Sequence, residues 1–498
     1  MKKAVPKRPN PVKPTPPWKT KLAALGRSPL AFLAASCVLL APCYWQSRLQ
    51  AGDLSSHLYN AWLSELAAQG RAPGVTVQFQ TTNVLFDLLL SALLKVSGAD
   101  AAQRISVSLA VLVFAWGAFA LVSKVAGRRS WSLLLPVTVF TYGWVFHMGF
   151  FNYFLSLGLC FWALAFAWEP SRVSLTWAAA ILVVAYVAHP LPVAWVICIL
   201  GYTWLARRYP RKQLLFWALG AIAAAAFLIR LTLNARWSPD QFAMITGFDQ
   251  ARVFGSEYWF VYIGLLLVWA WLMIGVMRQS SVRAILASVP FQLCILGTAA
   301  VLVFPDWLMT PVYKHALAFI SGRMSLPLAI CMFALAGMAP VRASQTVAIA
   351  AVTVLFFVLL YRDESALNAF EDTMQTVVSQ LPPGQRVIGG IDDPLDRVDA
   401  LPHIIDRVCM GRCYSYANYE PSTGQFRVRV AGDSPIVISR YDDSWRLQNG
   451  LYVVQPKDLP LYQVVLEGSG HMFIRSLPAG AACGMTYWNG LSTRMTTY

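Results

Sequence analysis

Eleven stretches of this chain are apolar over roughly the length a helix needs to cross a bilayer, and that repetition constrains the fold more than any other feature. They lie near 29–45, 105–122, 131–146, 150–168, 173–188, 190–206, 213–231, 257–277, 284–304, 316–338 and 345–361. Several are short, and the pair meeting at His189-Pro190 also reads as one long kinked helix. Charged residues make up 13% of the 498 residues. A soluble domain carries about 25%, so too few positions remain here for a water-facing shell. That excludes an ordinary cytosolic enzyme, a disordered chain and a coiled coil. The expected fold class is an α-helical polytopic membrane protein with about 11 transmembrane helices.

The net charge of +16 resembles a nucleic-acid signal until its distribution is read. Residues 1–361 hold 28 Lys/Arg and 9 Asp/Glu, whereas residues 362–498 hold 12 and 15. Eight basic residues precede the first span, and alternate loops carry eleven more against the single acid Glu169. By the positive-inside rule that side is cytoplasmic, the N-terminus with it, and the C-terminal segment lies outside. Parity also decides Asn83–Val96, apolar but only about 14 residues long and holding Asp87. Were it a span, Arg128 and Arg129 would fall outside, so it reads as an interfacial helix in a long external loop, 46–104.

Three regions follow. Residues 1–28 are a basic, proline-rich cytoplasmic tail, disordered by composition, and span one acts as an uncleaved signal anchor. Residues 29–361 form the membrane part. Residues 362–498 form an extracytoplasmic soluble domain, α+β or β-rich, joined by a helical Glu364–Gln380. Its expected strands are Arg386–Ile391, Gln425–Val430, Ile436–Arg440, Leu451–Gln455, Leu461–Glu467 and His471–Ser476. Six cysteines lie in or beside spans, and Cys409, Cys413 and Cys483 lie in the outer segment. One disulfide and one leftover thiol are expected there, with the pairing open.

The sharpest local pattern is Gly52-Asp53-Leu54-Ser55-Ser56-His57, leading into Asn60, Trp62 and Ser64. On a helix, Asp53, His57, Asn60 and Ser64 fall within about 60° of one another, with Leu58, Trp62 and Leu66 opposite. This reads as an amphipathic interfacial helix. Asp53 is either its N-cap or a functional carboxylate. A second stretch, His147-Met148-Gly149-Phe150-Phe151-Asn152-Tyr153, lies in the next outer loop, where capping is the plain role for His147 and Asn152. Arg323 stands well inside the apolar run 316–338, a costly place for a guanidinium and so a functional candidate, with snorkelling as the alternative. Lys314 and His315 stand just before it.

A long first external loop that opens with an acid just after span one, followed by interfacial helices, resembles the GT-C superfamily of membrane glycosyltransferases. The Gly52-Asp53-x-x-x-His57 stretch and the His147–Tyr153 stretch are similar to motifs in bacterial GT-C-like membrane proteins. The resemblance covers about residues 29–361. It implies Asp53 as catalytic base, with His57 orienting it or binding metal. It implies a polyprenyl-phosphate-linked sugar as donor, and donor or acceptor contacts from Arg323, Lys314, His315, His147 and Asn152. A divalent metal is a cofactor of many members, but the adjacent second acid they carry is absent here, Leu54 following Asp53, so no metal ligands are assigned. Arginine at the departing phosphate and a carboxylate taking the acceptor proton suit such an inverting transfer. The implied place is the bacterial cytoplasmic membrane. Two other classes fit the composition: a non-catalytic envelope-assembly or scaffold protein, and a transporter or flippase. The second is disfavoured by the lack of an internal repeat and of midplane charge.

Overall fold

In a computed structural model the described residues are 28–311, 314–393, 396–468, 470–488 and 490, so the tail expected over 1–28 lies almost wholly outside them. Four helices among them are long and apolar enough to cross a membrane by length and composition: Leu85–Ala126, Arg211–Thr232, Tyr258–Gln279 and Ala343–Val378. Six shorter apolar helices of 10–17 residues accompany them. The chain is thus built mainly of apolar helices suited to a bilayer.

The helix Leu85–Ala126 contains one break, at Gly98 with φ 78°. The segment read as a separate interfacial helix is therefore its first part, turned at a residue whose missing Cβ tolerates that backbone. Its longer part crosses Phe151–Ala167 at backbone contact. A Cβ on Gly158 would stand 2.7 Å from the Phe114 Cα. Small residues let helices approach closely where dispersion, not water exclusion, drives association.

The run 131–146 is not one helix. It divides into a turn at Trp131–Leu133 and the helices Leu134–Thr141 and Trp144–His147. The break lies at Gly143, where a Cβ would sit 2.8 Å from the Gln250 carbonyl. The run 284–304 likewise divides into Val282–Leu286 and Val289–Val303, with Ser288 capping the second and Pro290 in its first turn. Conversely, the last span and the linker helix expected after it are one continuous helix, Ala343–Val378.

Residues 379–490 fold as α+β around a four-stranded sheet. Arg386–Ile388 lies between Tyr414–Ser415 and Leu461–Leu466, parallel to both, and Leu461–Leu466 pairs antiparallel with Met472–Leu477. Ile436–Arg440 forms no strand, and Leu451–Gln455 contributes only a single bridge, Val453 to Ala482. Both runs read as strands by β-branched content. Their apolar side chains fill the core around Ile438, Tyr452 and Val454, while their backbones make only a few bonds, the Ile438 amide to the Tyr416 carbonyl and Tyr452 and Val454 to residues 480–483. Cys409 and Cys413 form the disulfide, and Cys483 is free and buried.

This segment is stitched to the first long loop. Val75–Val77 pairs antiparallel with Val428–Val430, and one apolar core runs from Leu54 and Leu58 through Phe146 to Cys409. The helix Leu54–Ala68, expected to lie on an interface, is therefore sandwiched, with ten of its residues buried. Its Leu58 and Leu66 meet the core, and its polar stripe meets the C-terminal segment.

Candidate functional site

The two sequence stretches singled out above touch. The Gly52 amide donates to the His147 carbonyl at 2.7 Å and the Asp53 amide to the Met148 carbonyl at 3.1 Å. Gly149 sits against the Asp53 amide with φ 82°, a place and a conformation that admit no side chain. Asp53 thus begins its helix with its backbone pinned by the second stretch. It occupies the N-cap position, yet its side chain makes no cap bond, and its backbone is already helical, at φ −66° and ψ −10°. The plain capping role does not account for its carboxylate.

Asp53 instead faces the C-terminal segment. Its Oδ1 lies 3.5 Å from His403 Nε2, while His403 Nδ1 meets Asp406 Oδ2 at 3.1 Å and the Ser415 hydroxyl donates a hydrogen bond to Asp406 Oδ1. Burial opposes the charged form of His403, but Asp406, with Asp53 and Glu420 beyond it, outweighs that and holds its pKa up at about 9. Burial and the Asp53 charge push Asp399 up to about 6. Arg407 holds this module in place. It grips Glu371 through Nε at 2.7 Å and Nη2 at 2.5 Å, and donates to the Leu49 carbonyl at 2.8 Å, four residues before Asp53. Arg397 does the same from the other side, with Nη2 2.9 Å from the buried Asp249 and its guanidinium over the Trp144 ring.

Arg323 is in the first turn of Ile320–Ala336, not deep in the apolar run as its sequence position suggested. The helix starts late because Phe319 adopts φ 56°, left-handed and rare for a bulky side chain. Strain of that kind persists only where the surroundings enforce it. Here Trp144 and Phe150 pack against the Phe319 ring. The Arg323 guanidinium lies 3.9 Å from the Phe150 ring centroid, and its Nε is buried with no hydrogen-bond partner among the described residues. The strongest opposite charge acting on it is Asp53. His315 stacks on Tyr419 and meets the Tyr441 hydroxyl at 2.8 Å. Burial pulls its pKa down, so it is neutral at pH 7. Lys314 is exposed.

His57 does not orient Asp53. Its Nδ1 pairs with Asp87 Oδ1 at 2.6 Å, and Asn152 donates to Asp87 Oδ2 at 2.7 Å while accepting from the Phe86 amide at 2.8 Å. Burial opposes the His57 charge and Asp87 more than compensates, holding its pKa at about 9. His147 stays apart, fully buried, between the Gly143 carbonyl and Glu364. It braces the fold and does not line the site. The stripe residues Asn60 and Ser64 meet Asn418 and Arg427. Glu420 takes a bond from Ser56 at 3.3 Å, and burial pushes it up to about 7.

The structure therefore gathers Asp53, His57, Asn152, Arg323 and His315 near one another, and leaves Lys314 exposed and His147 enclosed. Sequence reasoning missed His403, Asp406, Tyr419, Glu420 and Arg427. The Asp-Arg pair at 406–407 and the Tyr-Glu pair at 419–420 were visible as charge in an apolar context, but nothing local ties them to Asp53. Among the described residues, no group of three or more His, Cys, Asp or Glu side chains is placed to hold a metal ion. Asp53 is met by a protonated histidine, so its surroundings fit an ion pair better than a metal ligand set. No family model matches the chain, and no curated protein or solved structure does.

Proposed function

We propose that this chain transfers a glycosyl group from a polyprenyl-phosphate-linked sugar to a hydroxyl acceptor, at the membrane face covered by the C-terminal segment. That face is extracytoplasmic in this reading, and the N-terminus is cytoplasmic. The observation that carries it is the Asp53 carboxylate, free of its capping duty and pinned against the stretch whose Phe150 ring carries the buried Arg323 guanidinium. The acceptor hydroxyl attacks the anomeric carbon as its proton passes to Asp53. The bond from that carbon to the phosphate oxygen breaks, and its electron pair stays on the phosphate. Arg323, stacked on Phe150 and short of a hydrogen-bond partner, meets the charge that develops there. His403, fixed by Asp406, holds the carboxylate in place between turnovers.

The test uses membranes holding the full chain, polyprenyl-phosphate sugars and a candidate acceptor fraction. Asp53→Asn keeps size and removes the basic oxygen, so transfer falls by about 100-fold or more while expression and melting stay unchanged. Full activity in this variant, or complete restoration of a knockout's glycans by it, leaves a scaffold role in its place. Alkaline phosphatase fused after residue 381 is active in a bacterial host if the orientation is as stated.

A further inference from the structure

One helical turn beyond Asp53, a cavity of about 20 Å³ opens between the loop-one helices and the C-terminal segment. His57, Gln80, Asn83, Glu420, Phe426 and Arg427 are among the residues that line it. Most polar groups in this fold are used up, but here several are not. Among the described residues, His57 Nε2, Gln80 Oε1, the Asn83 side-chain amide, the second Glu420 oxygen and Arg427 Nη1 make no hydrogen bond. None of these atoms is sealed from solvent, so each can bond whatever enters the cavity. Asn83 holds a left-handed backbone at φ 55° and, with Phe319, is one of two described non-glycine residues to do so. Asn83 lines the cavity.

The character of the lining says what it suits. His57 is balanced by Asp87, and Arg427 and Glu420 both line the cavity. The lining thus carries both signs of charge, so an ion of either sign would also meet a like charge. Spare donors and spare acceptors together match a hydroxyl, which is both. The volume takes a group the size of one or two water molecules, not a sugar ring. Phe426 offers the apolar wall that a methylene would lie against.

We propose that this cavity is a specificity subsite for one hydroxyl-bearing arm of the transferred sugar, the hydroxymethyl group of a hexose, which Asn83, Gln80 and His57 read. The proposal rests on the glycosyl-transfer reading for its substrate class. The probe is a panel of methyl hexopyranosides, with the methyl pentopyranosides that lack only that arm, and the full chain in lipid nanodiscs. Saturation-transfer NMR reports which ligand protons touch protein. At least one hexoside takes up saturation at its C6 protons. Asn83→Gly, which suits the left-handed backbone and removes only the amide, weakens that signal by about fivefold or more. Glu420→Gln, which keeps the Ser56 bond, serves as a second variant. No saturation at C6 in any hexoside, or an undiminished signal in both variants, overturns the subsite even where transfer depends on Asp53. Saturation at C6 together with full activity in Asp53→Asn leaves the subsite standing and removes the transfer reading.

Discussion

His147 and His57 each pair with a carboxylate, yet the two pairs do opposite things. His147 is fully buried and both its ring nitrogens are taken, one by the Gly143 carbonyl and one by Glu364. The other Glu364 oxygen receives the Trp45 indole N–H at 2.5 Å. Nothing in that pair is left over for a ligand. His57 is part-exposed, its partner Asp87 is 21% exposed, and Nε2 is free toward a cavity. A closed pair fixes the fold, whereas an open pair keeps a donor in reserve. Spare bonding capacity, more than residue type, separates scaffold from site here.

The largest effect that tests this contrast is on stability. His147→Ala leaves the buried Glu364 Oε1 and the Gly143 carbonyl without their partner, the Trp45 bond to the other Glu364 oxygen being kept, and is expected to cost about 3 kcal/mol. His57→Ala leaves Asp87 with its Asn152 bond and some access to water, and costs about 1 kcal/mol. Thermal unfolding of the two full-length variants in detergent decides between them. Equal midpoints would erase the distinction.

A second effect belongs to Glu420, on the open side. Its folded pKa is raised to about 7 from an ordinary 4.5, chiefly by burial. A raised carboxyl binds its proton more tightly when folded, so its contribution to stability is present below about pH 4.5 and lost as pH rises to 7. Glu420→Gln removes that loss. The variant's stability relative to the parent is expected to grow by about 3 kcal/mol between pH 4.5 and pH 8. His57 and His403 also have raised values, near 9, so their contributions are lost as pH rises from about 6.5 through 9. The pH dependence left in the variant above pH 7 is theirs. A variant that tracks the parent across the whole range would mean that Glu420 is hydrated and not buried.

Much of the helical plan was legible because apolar length is a local property. Arg211–Thr232 and Tyr258–Gln279 lie within two residues of their expected ends. What failed were features that depend on partners. The run 131–146 has the composition of a span, and only the approach of Gln250 to Gly143 shows why it breaks. Ile436–Arg440 has β-branched residues, but its backbone makes a single bond to the chain beside it, from the Ile438 amide to the Tyr416 carbonyl. The site was half legible for the same reason. Asp53 and His57 declare themselves as a polar stripe on one helix, and Asn152 sits in the stretch that pins them. His403 and Glu420 are some 350 residues away in sequence, and only folding brings them to Asp53. Arg323 was found by its cost in an apolar run, though its true place is the helix's first turn, where the Phe319 backbone sets it.

The smallest expected stability effect gives the sharpest form of the comparison. An aspartate that caps a helix costs about 0.5–2 kcal/mol when cut to alanine, because an orphan amide loses its acceptor. Asp53 stands at a helix start but accepts no such bond, and its one close side-chain partner, His403, keeps Asp406 at 3.1 Å when Asp53 is gone. Asp53→Ala is therefore expected to change unfolding by less than about 0.5 kcal/mol, within the range of substitutions that touch no structural feature. The same substitution removes the carboxylate that meets His403 and that the proposed transfer uses as its base. A chain that melts like the parent but no longer transfers sugar puts Asp53 with the open pair. A loss of about 1 kcal/mol or more with activity intact puts it with His147, as a residue that holds the fold and nothing else.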